Sequence, residues 1–375
     1  MTTLDDDLAA LGHEALARVR AAGVDLAQVA AWGSALARGR TEGRVQGRVE
    51  ALGEGDLDEP PVGDEAAACE ALGRDALARG EVAFVVLAGG MATRMGGVVK
   101  ALVHAAAGKT FLELRLAERA AAARRAGCPY PLWLMTSHAT DAPVRDALTS
   151  AQADDGVATF VQGASLRLEP SGRLFLDEHG EPSLFATGHG DLPDALAASG
   201  LLARFVERGG RALLVANLDN LGASIDPLLL GAHLARGSEV TVEVVDKRGT
   251  DRGGIPVRLD GRPVVLEEFR LPRGFDPATV RVFNTNTFWI DARALARSRP
   301  SFTWLEVEKH ALGRVAVQHE RLLGELTATL ATRLLRVPRD GVASRFVPVK
   351  DAAELEARRP ELEALARSRG MLGEA

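Results

Sequence analysis

Residues 82–100 constrain this chain more than any other stretch. Val82-Ala-Phe-Val-Val-Leu87 is an unbroken apolar run, largely β-branched, and Ala88-Gly89-Gly90 closes it. A short apolar run stopped by glycines predicts a strand buried on both faces. Such strands belong to parallel sheets covered by helices. The segment that follows, Met91-Ala-Thr-Arg-Met-Gly-Gly-Val-Val-Lys100, reads as a flexible basic loop leading into a helix. Its backbone N–H groups, with Arg94 and Lys100 beside them, suit a ligand carrying several phosphates. The spacing has neither the Gly-Lys-Ser/Thr ending of a Walker loop nor the G-x-G-x-x-G of a dinucleotide fold. Both of those readings are excluded.

The same strand–loop–helix rhythm continues downstream. Leu132–Thr136, Val157–Val161, Arg211–Ala216 and Glu239–Val245 read as further strands, and Phe111–Ala126 as a helix ending at Gly127. The pattern predicts an α/β fold with a mainly parallel central sheet, whose ligands bind at the carboxyl ends of the strands. Residues 255–268 read as a hairpin turning at Asp260-Gly261. Upstream, residues 3–40 predict two helices broken near Gly23. An acidic, Pro/Gly-rich connection at 50–65 and a helix at 66–79 follow. The expected division is a helical N-terminal extension (1–80), a catalytic domain (81–330), and a short helical C-terminal segment (331–375) that carries Lys350.

Composition narrows the function classes. A net charge of −6 argues against a nucleic-acid binder, which needs a basic face. Cys69 and Cys128 are too few for a disulfide framework or a zinc site. The acidic start Met-Thr-Thr-Leu-Asp-Asp-Asp is unlike a signal peptide, and no apolar run has membrane-spanning length. The expectation is a cytoplasmic protein with no nucleic-acid or membrane partner.

Chemistry concentrates after the strands. Thr187-Gly188-His189-Gly190-Asp191 would let backbone pass close to a ligand with the imidazole facing it; an incidental surface histidine is the alternative. In Asn217-Leu218-Asp219-Asn220-Leu221-Gly222, Asp219 ends a strand and is placed to hold Mg²⁺ together with substrate phosphates. A turn capping the next helix, with Asn220 in that role, is the other possibility. In Phe283-Asn284-Thr285-Asn286-Thr287-Phe288-Trp289, period-two alternation would set Asn284 and Asn286 on one strand face to read sugar hydroxyls. A solvated edge strand would look similar.

In order along the chain, the Gly89-Gly90 loop, Gly-His-Gly-Asp, Asn-Leu-Asp-Asn-Leu-Gly-Ala, Asp246-Lys247 with Gly253-Gly254, Phe-Asn-Thr-Asn and Arg345-Phe-Val-Pro-Val-Lys350 resemble the eukaryotic-type UDP-glucose pyrophosphorylase family. The resemblance implies a Rossmann-like nucleotidyltransferase fold and in-line attack of glucose 1-phosphate on the α-phosphate of UTP, with Mg²⁺. It places Ala88, Gly89 and Gly90 against uracil and ribose, Gln162 on the base, and Gly188, His189 and Gly190 near nucleotide and phosphate. Asn217, Gly254, Glu267, Asn284 and Asn286 would line the sugar pocket. Asp219 would hold the metal, and Arg94, Lys100 and Lys350 would act on the phosphates. UTP and a hexose 1-phosphate are the implied partners. A UDP-N-acetylhexosamine or broad UDP-sugar pyrophosphorylase is the nearest rival, and a non-catalytic nucleotide-sugar-binding protein a remoter one.

The chain departs from the family pattern in three places. Val99 stands where a proline usually precedes the loop lysine. Gln162-Gly-Ala-Ser-Leu-Arg-Leu replaces the usual segment after the base-reading glutamine. About 25 residues follow Lys350, too few for the left-handed β-helix of eukaryotic members.

Overall fold

The computed structural model describes residues 4–39, 43–92, 95–249, 251–298 and 300–373. Eight strands build the central sheet: β1 (Leu57–Asp58), β2 (Val82–Leu87), β3 (Leu132–Thr136), β4 (Val157–Val161), β5 (Ala212–Asn217), β6 (Val240–Asp246), β7 (Val282–Asp291) and β8 (Thr332–Arg336). Their spatial order is β1-β8-β6-β7-β5-β2-β3-β4. Every adjacent pair is parallel except those made by β7, which runs antiparallel between β5 and β6. The expectation of a mainly parallel α/β sheet holds.

Alternation along β2 shows why both faces are covered. Val82, Phe84 and Val86 enter one apolar cluster with the helices Gly63–Ala78, Phe111–Ala126, Pro227–Arg236 and Ala352–Ser368. Ala83 and Val85 enter another with Leu192–Ser199 and Ala292–Arg297. The helix Phe111–Ala126 has unambiguous local ends. Thr110 and Glu113 form a reciprocal capping box, and Gly127 closes it at φ 73°.

β1 and β8 lie on either side of the expected catalytic span 81–330, yet both join its sheet. Backbone pairing therefore runs through the boundaries expected at 80 and 331. The N-terminal region holds three helices, Leu4–Ala9, His13–Ala21 and Leu26–Arg38. The break expected at Gly23 is present at φ 74°, and a second break precedes Gly12, which caps the middle helix. Val29, Trp32 and Leu36 bury this lobe against Leu166, Leu168 and Val317, with Trp32 stacked on His319 at 4.3 Å.

The decisive consequence of topology lies at one sheet edge. β2, β3, β4, β5 and β6 all end there, and because β7 is antiparallel it starts there, with Asp246 paired to Val282. Residues far apart in sequence thus converge on a single rim.

Candidate active site

Two adjoining cavities open at this rim, of about 390 and 590 Å³, and His189 and Asn217 line both. The smaller is walled by Ala88, Gly89, Gly90, Lys100, Gln162, Gly188 and Asp219. Gly254, Glu267, Asn284, Asn286 and Lys350 line the larger. Apart from Gly190, which lines neither, the predicted nucleotide and sugar residues therefore fall into two neighbouring compartments. Arg94 lies outside the described residues.

The segment after β2 is not a plain loop leading to a helix. Met91–Ala92 pairs antiparallel with Val98–Val99, and Lys100 N–H bonds back to Gly90 O at 3.2 Å. A second short hairpin, His104–Ala106 with Lys109–Thr110, precedes the helix. Two residues per strand carry too little pattern for periodicity to register. The hairpin turns Lys100 inward, where its Nζ lies 2.6 Å from Asp219 Oδ2 with both side chains largely buried. Asp219 Oδ2 also accepts from Val349 N–H at 3.4 Å, which brings the residue before Lys350 to the same carboxylate. Gly89 packs against the Gln162 amide, which would have to move to admit a Cβ there.

Gly188 and Gly190 are required by packing. A Cβ on Gly188 would meet Arg321 O at 2.5 Å, and one on Gly190 would meet Leu322 N at 2.6 Å. Backbone bonds tie the two segments together, Gly190 N–H to Arg321 O at 2.9 Å and Arg321 N–H to Thr187 O at 2.8 Å. Asp191, nearly fully buried, accepts from Gly163 N–H at 2.8 Å and Arg321 Nε at 2.7 Å, bracing the turn after Gln162. A Gly190→Ala substitution is expected to destabilise the protein by about 1–3 kcal/mol. It should also weaken nucleotide binding, as chemical denaturation and a nucleotide titration would show; wild-type values in both would refute the clamp.

His189 Nδ1 accepts a hydrogen bond from Leu323 N–H at 2.8 Å, which leaves the ring proton on Nε2. Burial holds this imidazole at about 4, and holds His233 at about 4 also. Unfolding restores their ordinary value near 6.5, so below about 6.5 the unfolded chain takes up the extra protons. Stability then falls with pH by about 1.4 kcal/mol per unit for each histidine, down to about 4. Glu267 acts in the opposite sense. Burial first, then Glu268 and Glu320, push it up to about 7, so the folded form keeps a proton that the unfolded form loses. That contribution is present below about 4.5 and is lost as pH rises through about 7. One histidine is thereby offset, and the net expected loss is about 1.4 kcal/mol per unit between about 6.5 and 4.5. Denaturation midpoints at pH 6.5 and 5 check this; equal stability would contradict the buried neutral rings.

Asn284 and Asn286 reach the larger cavity by a route that alternation does not describe. Pairing of β6 with β7 jumps from Glu243–Thr287 to Val244–Asn284, leaving Thr285 and Asn286 in a bulge. Asn286 takes φ 56°, its N–H bonds to Asn284 Oδ1, and its Nδ2 donates to Asn217 Oδ1 at 3.0 Å. Asparagine tolerates this left-handed backbone better than most residues. β7 lies inside the sheet, so the edge-strand alternative falls.

Asn220 does not cap the following helix, which Asp226 caps. It bridges instead to the C-terminal segment, with Nδ2 donating to Arg345 O at 3.0 Å and Oδ1 accepting from Val347 N–H at 2.8 Å. Arg345 is itself buried on Glu243, Nε to Oε2 at 2.9 Å and Nη2 to Oε1 at 2.5 Å. Buried Arg115 holds the other side of the Asp219 turn through the carbonyls of Asn220 and Ala223, at 2.6 and 2.7 Å. Sequence reasoning missed Arg115, Glu243, Glu320 and the charged wall of Arg248, Asp251, Arg252 and Arg339. The legible signal was a carboxylate inside the apolar run of β6, where an unpaired charge would be prohibitive.

An α/β sheet covered by helices on both faces, with glycine turns, a strand-end aspartate and two lysines at one rim, is a nucleotidyltransferase-like fold. The sequence model of the family described as UTP–glucose-1-phosphate uridylyltransferase matches residues 62–368. A protein of that name from Saccharomyces cerevisiae is 30% identical over 296 residues, covering 73% of this chain and 58% of its own length. One from Musa acuminata is 29% identical, covering 73% and 62%. The chain belongs to the UTP–glucose-1-phosphate uridylyltransferase family, as its motifs led us to expect, and spans roughly three-fifths of these relatives. Among solved structures, a UDP-glucose phosphorylase from Trypanosoma brucei shares the fold with a TM-score of 0.73 at 23% identity, covering 92% of this chain and 78% of that one. A UDP-N-acetylglucosamine pyrophosphorylase from the same organism shares it at 0.70 and 20% identity, covering 84% and 72%.

Proposed function

We propose that this protein transfers the uridylyl group of UTP to glucose 1-phosphate, giving UDP-glucose and pyrophosphate. The observation that carries the reading is the meeting of the two cavities at His189 and Asn217, with Lys100, Asp219 and the Val349–Lys350 segment gathered at their junction. UTP is assigned to the smaller cavity and the sugar phosphate to the larger. The nucleophile is a sugar-phosphate oxygen already ionised at neutral pH, so no protein base is needed. The protein's task is alignment of that oxygen against the α-phosphorus and neutralisation of charge as pyrophosphate leaves. Lys100 and Lys350 are suited to the second task.

Among the described residues no group of three His, Cys, Asp or Glu side chains converges to hold a metal. The donor set fits a divalent ion shared with substrate phosphates, with Asp219 as the protein's carboxylate. We assign Mg²⁺ to this position, where it would balance phosphate charge. Lys100 Nζ pairs with Asp219 Oδ2 at 2.6 Å, so an ion held by Asp219 would take the place of Lys100 on that oxygen. The free thiols of Cys69 and Cys128 accord with our assignment to the cytoplasm. No helix among the described residues is long and apolar enough to cross a membrane.

The test is pyrophosphate release by purified protein with Mg²⁺, UTP and a panel of glucose, galactose and N-acetylglucosamine 1-phosphates. Preference for the N-acetylated sugar would replace the glucose assignment. Tight UTP binding with no turnover on any sugar would favour a binding protein.

A further inference from the structure

The smaller cavity runs across several strands. Asp219 follows β5 and Gln162 follows β4, three strand spacings apart, about 14 Å. Leu87 and Met135, at the ends of the intervening β2 and β3, line the cavity between them. Phosphates suit the end with Lys100, and a flat base suits the apolar end, where Gln162 supplies a carboxamide. A carboxamide has a donor end and an acceptor end. In one pose it bonds the N3–H and a carbonyl of uracil; turned over, it bonds N3 and the amino group of cytosine. Telling the two bases apart therefore requires that Gln162 be held in one pose.

The groups that hold it lie outside the cavity. Gln162 N–H bonds to Thr136 O at 2.9 Å, and the next amide, Gly163 N–H, bonds to Asp191 Oδ2 at 2.8 Å. The peptide plane between Gln162 and Gly163 is thus fixed by a buried carboxylate that also accepts from the Thr187 hydroxyl. A Cβ on Gly163 would come within 2.8 Å of that Asp191 oxygen. Asp191 is held in turn by Arg321, whose Nε and Nη2 reach Oδ1 at 2.7 and 2.5 Å. Arg321 lines neither cavity. Its Nη1 lies 2.7 Å from Asp194, and its guanidinium sits 4.7 Å from the centroid of the Trp304 ring. Trp304 meets Trp32, on the helix Leu26–Arg38, edge-on at 4.9 Å. A planar cation between two carboxylates and an indole is held in both position and orientation.

We propose that Arg321 is a positioning residue for base recognition. Acting through Asp191 and Gly163, and backed by Trp304 and the N-terminal helices, it holds Gln162 in the pose that prefers UTP to CTP. The inference rests on the uridylyltransferase reading and adds to it a residue, remote from the ligand, that governs nucleobase preference.

Steady-state kinetics with UTP, CTP and glucose 1-phosphate test it in Arg321→Gln, Arg321→Lys and Trp304→Leu, with circular dichroism to confirm folding. A misplacement of about 1 Å costs up to about 100-fold in rate. Arg321→Gln is expected to raise KM for UTP about 5- to 50-fold and to cut the kcat/KM preference for UTP over CTP about tenfold. KM for glucose 1-phosphate should stay within about twofold, because Asn284 and Gly254 stand on other strands. Arg321→Lys and Trp304→Leu keep a cation for Asp191, so neither strands its buried charge, and both serve where Arg321→Gln does not fold. Each is expected to lose about 2- to 5-fold of the UTP preference, the worth of one such contact. An active wild type whose UTP preference is unchanged in the folded variants overturns this inference alone, even where their stability has fallen. So does an equal rise in KM for both substrates. A wild type that transfers no uridylyl group to any sugar phosphate overturns the uridylyltransferase reading and this inference with it.

Discussion

Replacing Lys350 with methionine is expected to lower kcat by about 10²–10³-fold and to leave stability within about 0.5 kcal/mol of wild type. The two halves of that expectation have separate origins. Lys350 is exposed and its Nζ has no ion-pair partner among the described residues, so its loss strands no buried charge. Its position is nevertheless well determined. Val349 N–H reaches Asp219, and Lys350 N–H donates to Glu354 Oε2 at 2.8 Å. An exposed cation without an ion-pair partner costs little and becomes useful when charge develops on the transferring phosphate. Lys100 makes an informative contrast. Its 2.6 Å pair with Asp219 is largely buried, so Lys100→Met should impair both turnover and the resting structure of the site. If kcat of Lys350→Met stayed within about threefold of wild type, Lys350 would have no place at the reacting phosphates.

Arg345→Met should be the most destabilising single substitution considered, at about 3–5 kcal/mol. Glu243 is 0% exposed on β6, and without Arg345 its carboxylate keeps, among the described residues, only the Trp289 Nε1–H bond at 2.9 Å. An uncompensated charge in the sheet interior is the costly state; the intact pair is close to neutral against apolar residues of similar volume. The double variant Glu243→Met/Arg345→Met is therefore expected to recover most of the lost stability. It would not restore the tie that Arg345 makes to Ser224 O at 2.9 Å, which with Asn220 lashes the Lys350 segment to the Asp219 turn. Stability restored with turnover still depressed would identify the pair as a device for placing Lys350. Denaturant midpoints and kcat, measured on the same preparations, separate the two effects. A single variant as stable as wild type would mean that Glu243 is not held as a buried ion.

These two residues also mark where sequence reading reaches and where it stops. Arg345 and Lys350 were recognisable together as a motif, but nothing in Arg345-Phe-Val-Pro-Val-Lys350 reveals that its first residue is buried and its last exposed. The partner, Glu243, sits about a hundred positions upstream in a run that reads simply as a strand. Asn286 tells a similar story. Its membership in the sugar-side wall was anticipated, yet the alternation invoked for it is interrupted by a bulge, and the left-handed turn at Asn286 is what aims it at Asn217. For Gly188 and Gly190 the residue type was read correctly and the reason was incomplete, because the crowding comes from Arg321.

What the sequence determined alone is what short-range physics encodes. β2, β3 and β4 follow from continuous apolar runs, the helix Phe111–Ala126 from its capping box and terminal glycine, and the hairpin at Asp260-Gly261 from its turn residues. Each signal lies within a few residues of the element it specifies. Tertiary structure alone decided that β1 and β8 extend the sheet beyond its expected boundaries, that β7 enters it antiparallel, and that Lys100, Asp219 and Val349 meet at one carboxylate. Those outcomes depend on pairings between strands tens to hundreds of residues apart. Local propensity cannot encode them, because the hydrogen-bonding edge of a strand is the same backbone whatever its neighbour. Reversal of β7 brings its asparagines to the rim where the parallel strands deliver the glycines and the aspartate, and that single topological choice turns a set of motifs into a site.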